Sequence, residues 1–207
     1  MTAKKKNRKQ DKSKLREYIE IIVTAVVLAL IVRTFIIQSY HIPSESMQDT
    51  LLKGDFLFAN KFIYGAKVPF ADWRLPALRD PKPGDVVIFK YPCDGETDYI
   101  KRCIAVEGQV VEVKNKTVYI DGEKLEEDYT KFEGPEWRRR DFGPYKVPEG
   151  CIFVMGDNRD NSKDSRYWPC GAALDKNYLR GKALFLYFSI NYETHFPRFS
   201  RIGDIIR

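Results

Sequence analysis

The chain has 207 residues, 43% of them hydrophobic, and a formal net charge of +6. Its first 16 residues carry eight basic side chains and one acidic side chain, whereas the other 191 residues have a net charge of −1. The positive charge therefore belongs to an N-terminal tail, which argues against nucleic-acid binding by the body of the protein. The length suits one sizeable domain, or one domain plus a small appendage.

An apolar run follows the basic tail. Residues 21–32 carry no charge, and extending the run to Ile37 gives about 25 Å of helix, near the short end for a bilayer core. Arg33 can reach the headgroups along its apolar stem. A buried core helix would show a polar stripe, and a cleaved signal would need small residues before its cleavage site; the run has neither. By the positive-inside rule, we predict a cytoplasmic tail, a single uncleaved transmembrane anchor and an outer domain, at residues 1–18, 19–38 and 39–207.

Short β-type runs separated by glycine and proline make up the outer domain. Six runs read as strands, at residues 55–64, 85–92, 98–108, 109–125, 150–156 and 182–190. Residues 65–83, with four of the eleven prolines, predict an irregular loop, and the charged residues 126–149 predict an excursion from the sheet. We expect an all-β fold of mostly antiparallel sheets or a partial barrel, tethered at its N-terminus.

All four cysteines fall on the predicted outer side, where disulfides are permitted; they are Cys93, Cys103, Cys151 and Cys170. The first two flank a turn and the last two bracket a loop, but three pairings are possible and the sequence does not choose among them. Their spacing contains no Cys-x-x-Cys pair, which argues against a zinc site. The polar residues 156–166 do not fit a calcium loop, because Arg159 falls at a ligand position. No metal is expected.

Ser46, in the stretch HIPSESMQDTL just beyond the anchor, is the first candidate for chemistry. Taken alone it resembles a helix N-cap, because Asp49 follows three residues later. A nucleophilic serine would need a base. His41 lies only five residues upstream on the same extended segment, and His195 lies in an aromatic C-terminal stretch, so a Ser-His-Asp triad has little support.

A lysine is the alternative base for Ser46, provided that burial lowers its pKa by several units. Lys101 is the best candidate, because strand alternation places it on one face between Tyr99 and Cys103. An ordinary strand lysine would instead extend its ammonium group to water.

Four segments occur in order after the anchor: IPSESMQDTLLKGD, GDVVIFKYP, DYIKRCIAVEG and GDNRDNSKDSRYW. Together they resemble the sequence boxes of bacterial type I signal peptidases. The resemblance implies a membrane-anchored Ser-Lys serine protease, without a cofactor, that removes signal peptides from exported preproteins after a small-x-small motif. It also implies a place at the outer face of the cytoplasmic membrane, near the secretion translocon.

Matched by motif position, the resemblance makes Ser46 the nucleophile and Lys101 the general base. It makes Ser44 an oxyanion-hole hydroxyl and Ser162 the hydroxyl that holds the lysine. It implies structural ion-pair residues in the polar loop, namely Asp157, Arg159, Asp164 and Arg166. It also implies pockets for small substrate side chains, lined by Tyr40, Ile42, Met47, Leu51, Leu57, Ile88, Tyr99 and Ile100.

The chain departs from the family pattern at Asp49, where proline is usual, and at residues 105–109, which replace Gly-Leu-Pro-Gly-Asp. The short stretch before the polar loop indicates a reduced second lobe at residues 109–150.

Two other functions stay open: a Ser-Lys autopeptidase of the repressor-cleaving kind, and a non-enzymatic membrane-tethered interaction domain. The anchor argues against the first. The C-terminal aromatic strand suggests either lipid contact or core packing through Phe185, Tyr187 and Phe188, with Lys182 and Arg198 flanking it.

Overall fold

The computed structural model describes residues 3–68, 73–133 and 141–207. For residues 3–13 it describes the backbone but not the side chains. A single long helix, α1 (Ala3–Phe35), begins the chain. Its part from Lys14 to Phe35 is long and apolar enough to cross a membrane by length and composition, and none of it is buried against the rest of the protein. The helix ends before the predicted limit at residue 38, because Ile37 already begins a strand.

Eleven strands are present in the described residues, and every pairing between them is antiparallel. Their bounds are β1 Ile37–His41, β2 Asp55–Asn60, β3 Val86–Lys90, β4 Asp98–Val106, β5 Val110–Lys114, β6 Thr117–Ile120, β7 Glu123–Lys124, β8 Phe142–Lys146, β9 Cys151–Met155, β10 Leu174–Asp175 and β11 Leu179–Ser189. The described ranges also contain three short 3-10 helices, at Phe62–Tyr64, Lys176–Tyr178 and Phe199–Arg201. The predicted all-β, mostly antiparallel fold is confirmed.

The strands form two sheets. The larger has seven strands in the order β1-β2-β11-β3-β4-β9-β10, and the smaller has four in the order β7-β6-β5-β8. The predicted single run at 109–125 forms three strands, β5, β6 and β7, joined as two consecutive hairpins. The fourth strand of this sheet, β8, pairs with β5 and lies within the residues 126–149 that were predicted to leave the sheet. The run at 55–64 stops at Asn60, because the Asn60 side chain accepts hydrogen bonds from the N–H groups of Phe62 and Ile63.

Apolar side chains pack in three clusters, one of which joins the two sheets. Ile104 and Phe153 of the large sheet pack in it against Val111 and Val118 of the small one. A second cluster is formed by side chains of β2, β3 and β11, with Tyr40 of β1 packed against it. The alternation of buried and half-buried residues along β2 is the period-2 pattern that such packing produces.

Aromatic residues of β11 pack against β2 on the outer face of the large sheet. Tyr187 stacks on Phe58 with ring centroids 4.4 Å apart, and Phe188 lies 5.8 Å from Phe56. Phe185 nevertheless keeps 37% of its surface exposed. These rings therefore stabilise the sheet, and lipid contact through them stays a prediction.

One disulfide joins Cys93, in the turn between β3 and β4, to Cys170, with their Cα atoms 5.5 Å apart. Neither of the pairings suggested by neighbouring turns is formed. Cys103 is free because it lies inside β4 with its side chain fully buried in an apolar cluster, and Cys151 is also free. Cys93 packs against the same cluster, which contains Trp168, and this brings the loop carrying Cys170 into reach.

Candidate active site

A cavity of about 380 Å³ opens between the end of β1 and the start of β4. Residues 40–44 and Ser46 line one wall, and residues 97–101 line the other. β1 is an edge strand of the large sheet, and in the described part of the chain residues 98–101 pair only with β3. Unpaired backbone therefore flanks the cavity, which suits the addition of an extended peptide strand.

Ser46 and Lys101 meet at this cavity. Lys101 Nζ donates a hydrogen bond to Ser46 Oγ at 2.8 Å and a second one to the carbonyl of Ile100 at 2.7 Å. Both side chains are almost buried, with 8% of Ser46 and 4% of Lys101 exposed. The β4 strand supplies the lysine and the turn after β1 supplies the serine, so two side chains 55 positions apart are in hydrogen-bond contact, the geometry that a nucleophile and its base require.

Burial sets the protonation of Lys101. Desolvation lowers the pKa of its ammonium group from 10.5 to about 8, although the negative charges of Asp164 and Asp157 act in the opposite direction. An amine with such a pKa is neutral in an appreciable fraction of molecules near neutral pH, which is the condition for a general base. The expectation that burial would activate this lysine therefore agrees with its surroundings.

The segment that carries Ser46 consists of successive turns over residues 44–51. The helix N-cap interpretation of Ser46 is therefore wrong. Asp49, the expected capping partner, has φ +78° and pairs instead with Lys131, Oδ1 to Nζ at 3.0 Å. Proline cannot adopt a positive φ, so the departure from the family pattern at this position agrees with the local backbone.

The polar loop after β9 holds the turn of Ser46 in place. The N–H of Asn158 donates to the carbonyl of Ser46 at 3.1 Å. Gly156 packs so closely that a Cβ there would lie 2.4 Å from the Ser46 carbonyl oxygen and 2.2 Å from Ser162 Oγ. Only glycine fits this position, because any side chain would displace Ser46 or Ser162.

The two supporting serines differ in what they contact. Ser44 Oγ lies 3.4 Å from Ser46 Oγ on the exposed side of the site, where a substrate oxygen could approach both. Ser162 is buried, but its Oγ forms no well-oriented hydrogen bond within the described residues, and none with Lys101. A looser polar contact of Ser162 helps to lower the pKa of Asp164. The contact between Ser162 and the lysine that the resemblance implies is therefore not formed here.

The four charged residues of the polar loop all form ion pairs, two of them with other parts of the chain. Asp157 pairs with Arg102 of β4, Arg159 pairs with Glu127, and only Asp164 and Arg166 pair with each other. Burial acts to raise the pKa of Asp164, but the Arg166 guanidinium and the N–H of Gly156 outweigh it, so the pKa lies below its ordinary value. Asp164 is thus a buried carboxylate close to Lys101.

Arg102 is the supporting residue that the sequence did not reveal. It is 1% exposed and binds both carboxylate oxygens of Asp157, with Nε to Oδ1 at 2.8 Å and Nη2 to Oδ2 at 2.6 Å. Thr50 Oγ1 donates to the same carboxylate at 2.6 Å, and the Tyr129 ring lies 3.9 Å from the guanidinium. The sequence does place Arg102 between Ile100 and Ile104 on the apolar face of β4. An arginine buried in such a position requires a carboxylate partner, and this was the feature that could have revealed it.

Five of the eight predicted pocket residues line the cavity, namely Tyr40, Ile42, Ile88, Tyr99 and Ile100. The other three do not. Met47, Leu51 and Leu57 are fully buried in the core cluster that also contains Ile42 and Ile88. Their assignment to the pocket is corrected: they support its apolar wall from behind and present no surface to a ligand.

Neither histidine is bonded to Ser46. His41 lines the cavity, but its Nε2 lies 2.5 Å from the Tyr192 hydroxyl, and its ring packs 4.8 Å from Phe56. His195 is exposed in a turn near the C-terminus. Among the described residues, the side chains within hydrogen-bond distance of Ser46 Oγ are Lys101 and Ser44, so the structure favours the lysine as base.

Residues 15–188 match a family model described as signal peptidase, peptidase S26. The chain belongs to this family. A signal peptidase I from Pseudomonas fluorescens is 35% identical over 226 residues, covering 92% of this chain and 79% of the relative. A signal peptidase I from Bacillus licheniformis is 37% identical over 201 residues, covering 92% of this chain and 97% of the relative.

Among solved structures, a signal peptidase I from Enterococcus faecalis V583 shares 30% sequence identity, covering 51% of this chain and 98% of that one, with a TM-score of 0.43. The assignment of the family comes from the sequence matches. It confirms the resemblance to bacterial type I signal peptidases and makes the protein a hydrolase of the signal peptidase class, which acts on preproteins. The apolar part of α1 is consistent with membrane anchoring. The two alternative functions, autopeptidase and interaction domain, receive no support from these relatives.

Proposed function

We propose that this signal peptidase cleaves preproteins by a Ser-Lys mechanism, with Ser46 as the nucleophile and Lys101 as the general base. The observation that carries the proposal is the 2.8 Å contact between Ser46 Oγ and Lys101 Nζ at an open cavity. A buried lysine with a lowered pKa beside a serine has no evident structural purpose, because its ammonium group finds no carboxylate within hydrogen-bond distance among the described residues.

The preprotein binds as an added strand between β1 and the first half of β4, whose free edges flank the cavity. In an extended strand, residues two positions apart point to the same side. Ile42, Ile88 and Ile100 narrow the cavity on that side with branched side chains. This arrangement favours small residues at two alternating positions before the cleaved bond, which is the small-x-small motif.

The reaction proceeds in two halves. Neutral Lys101 accepts the proton of Ser46 Oγ as that oxygen attacks the scissile carbonyl, and the developing oxyanion accepts hydrogen bonds from the Ser46 N–H and the Ser44 hydroxyl. The protonated lysine then gives its proton to the departing amine, which leaves an acyl-enzyme on Ser46. Water deprotonated by Lys101 attacks this ester and releases the signal peptide.

Lys101 has to be held in place as it loses and regains its proton. The Ile100 carbonyl accepts one hydrogen bond from Nζ at 2.7 Å and so fixes its direction. Ser162, buried and without a well-oriented hydrogen bond among the described residues, is a second positioning group available to the lysine. Each single oxyanion donor contributes on the order of 3 kcal/mol of transition-state stabilisation. Replacing Ser44 should therefore reduce the rate of cleavage more than replacing Ser162.

The topology we propose follows from the charges of the tail. The basic residues 1–18 stay in the cytoplasm, residues 19–38 contain the anchor, and residues 39–207 lie on the outer side of the cytoplasmic membrane with residues 109–150 as a small lobe. This places the cavity next to the bilayer, where the apolar part of a signal peptide ends. Proximity to the secretion translocon is part of the same proposal, because the substrate emerges there.

Cleavage of a model preprotein, with the new N-terminus mapped by mass spectrometry, tests this function. We expect one cut after a small-x-small sequence, abolished in Ser46→Ala because the attacking oxygen is gone. Ser200→Ala, which removes an exposed hydroxyl that does not line the cavity, is the matched control. An acylating probe should label the unmodified protein on Ser46, and cleavage that persists in Ser46→Ala would refute the nucleophile assignment.

The pH dependence of cleavage reports the protonation of the base. Because the pKa of Lys101 is about 8 and only the neutral amine accepts a proton, kcat/KM should rise with pH, close to tenfold per pH unit below about 7, and level off above about 9. The measurement is kcat/KM between pH 6 and 10 at constant ionic strength. A profile that is flat between pH 6 and 9 would contradict a lysine base with this pKa.

A further inference from the structure

A second cavity, of about 370 Å³, lies beside the candidate active site and shares Tyr40 and Asp98 with it. Its remaining lining residues are Gln38, Lys61, Gly65, Lys67, Val68, Lys90, Leu179 and Arg180. The first cavity is walled mainly by apolar side chains, whereas this one is polar and strongly basic. The mechanism proposed above uses none of its basic residues.

The charges in this cavity do not balance. Four cationic side chains and one carboxylate line it, and that carboxylate, Asp98, already pairs with Lys90 at 3.1 Å. Lys61, Lys67 and Arg180 have no carboxylate partner within the described ranges of the chain. Three cations around one cavity repel each other, and an anion from outside the protein would offset this repulsion.

Arg180 gives independent support for a missing anion. Its Nε is buried and has no hydrogen-bond partner within the described residues, although a buried donor without an acceptor is uncommon in folded proteins. Burial and the charge of Arg180 together lower the pKa of Lys61. An anion in the cavity would accept the unused N–H of Arg180 and offset the repulsion between the two cations.

The position of the cavity indicates where the anion comes from. The N–H of Lys61 donates to the carbonyl of Ile36 at 2.9 Å, directly after the last residue of α1, and Gln38 lines the cavity two residues further on. The basic residues therefore lie at the end of the apolar helix, which is where the phosphates of a bilayer would be. Arginine and lysine bind phosphate oxygens through charge-assisted hydrogen bonds.

We propose that this cavity binds the phosphate group of an anionic phospholipid headgroup, through Arg180 and Lys61. The inference rests on the proposed membrane anchoring, but not on the Ser-Lys chemistry. A bound headgroup would fix the wall formed by Tyr40 and Asp98, which the two cavities share, and so orient the peptide-binding edge of β1 relative to the bilayer surface.

Titration of the full chain in a neutral detergent, followed by isothermal calorimetry at constant ionic strength, tests the proposal. The probes are dihexanoylphosphatidylglycerol, dihexanoylphosphatidylcholine and inorganic phosphate. We expect saturable binding of the phosphatidylglycerol, weaker binding of the zwitterionic lipid, and an affinity at least about tenfold lower in Arg180→Gln. Lys61→Gln should weaken binding independently, whereas Lys146→Gln, which removes an exposed strand lysine of the small sheet, should leave it unchanged.

Three outcomes would overturn the proposal: no saturable binding of the phosphatidylglycerol, equal binding by Arg180→Gln and the unmodified protein, or binding of inorganic phosphate alone. Ser46→Ala should bind the lipid like the unmodified protein. Loss of peptidase activity and loss of lipid binding are therefore separate results. Without lipid, the unfolding temperature of Arg180→Gln should be no lower than that of the unmodified protein, because Nε loses no hydrogen-bond partner. A clear fall in the unfolding temperature would show that Arg180 already has a partner within the protein.

Discussion

Lys101→Met should reduce kcat/KM for a model preprotein by at least about 10³-fold, with the protein still folded. Methionine keeps the length and the buried methylene groups of the side chain but removes the nitrogen that contacts Ser46 Oγ at 2.8 Å. The hydroxyl then has no base within hydrogen-bond distance in the described structure. The loss should appear almost entirely in kcat, because the apolar walls that bind the substrate are unchanged.

A buried ammonium group is costly in an apolar setting, so the same substitution should not destabilise the fold. This separates a catalytic lysine from a structural one. We expect the unfolding midpoint of Lys101→Met to equal or exceed that of the unmodified protein. The matched control is Lys146→Met in β8, an exposed strand lysine whose replacement should leave kcat/KM within about twofold of the original value.

Two results would contradict the role of Lys101. Retention of more than a tenth of the original kcat/KM in Lys101→Met would show that another group accepts the proton, with His41 the first to test, because it lines the same cavity. Loss of activity together with unfolding would show a structural role. Labelling of Ser46 by an acylating probe should fall in parallel with kcat/KM, because both need the serine to lose its proton.

Parts of the fold and site that depend on local pattern were predictable from the sequence. Alternating apolar residues predicted most strands of the large sheet, and the place of Lys101 between Tyr99 and Cys103 made it the best candidate for a desolvated lysine. β1 was not separable from the anchor, because Ile36 and Ile37 extend the apolar run although the helix ends at Phe35. A sequence pattern cannot show where an apolar segment changes from helix to strand when the change depends on pairing with β2.

Contacts between distant segments were not predictable. The disulfide joins residues 77 positions apart, and neighbouring turns suggested other pairs. Likewise, the resemblance made Asp157 a structural ion-pair residue without naming its partner, which is Arg102 of β4, 55 positions away. Which of several carboxylates a buried arginine contacts depends on how the sheet and the loop pack together, and neither spacing nor composition encodes that choice.

The ion pair between Arg102 and Asp157 should be the largest single contribution to the stability of the site. Arg102→Met should lower the free energy of unfolding by about 3–5 kcal/mol, because it leaves the Asp157 carboxylate buried without its charge partner. The guanidinium also donates to the carbonyls of Gly84 and Arg207, at 3.0 and 2.8 Å, and these acceptors lose their donors too. Guanidinium chloride unfolding of the full chain in detergent measures the change.

Lys124→Met, which removes an exposed pair with Glu126, is the control and should change the free energy of unfolding by no more than about 1 kcal/mol. Asp157→Asn should also be destabilising, because it leaves Arg102 charged and buried. The double variant should be less destabilised than the sum of the two single variants, since it leaves neither charge unpaired. Strictly additive effects would show that the two side chains are not coupled.

The same ion pair connects stability to activity. Asp157 precedes Asn158, whose N–H holds the Ser46 carbonyl, and Arg102 follows Lys101 on β4. A shift of the polar loop in Arg102→Met would therefore move Ser46 relative to Lys101, and small displacements of reacting groups reduce rates strongly. We expect kcat to fall by at least about tenfold at a temperature where the variant is fully folded, with KM less affected. An unchanged kcat in the folded variant would show that the Ser46–Lys101 distance does not depend on this ion pair.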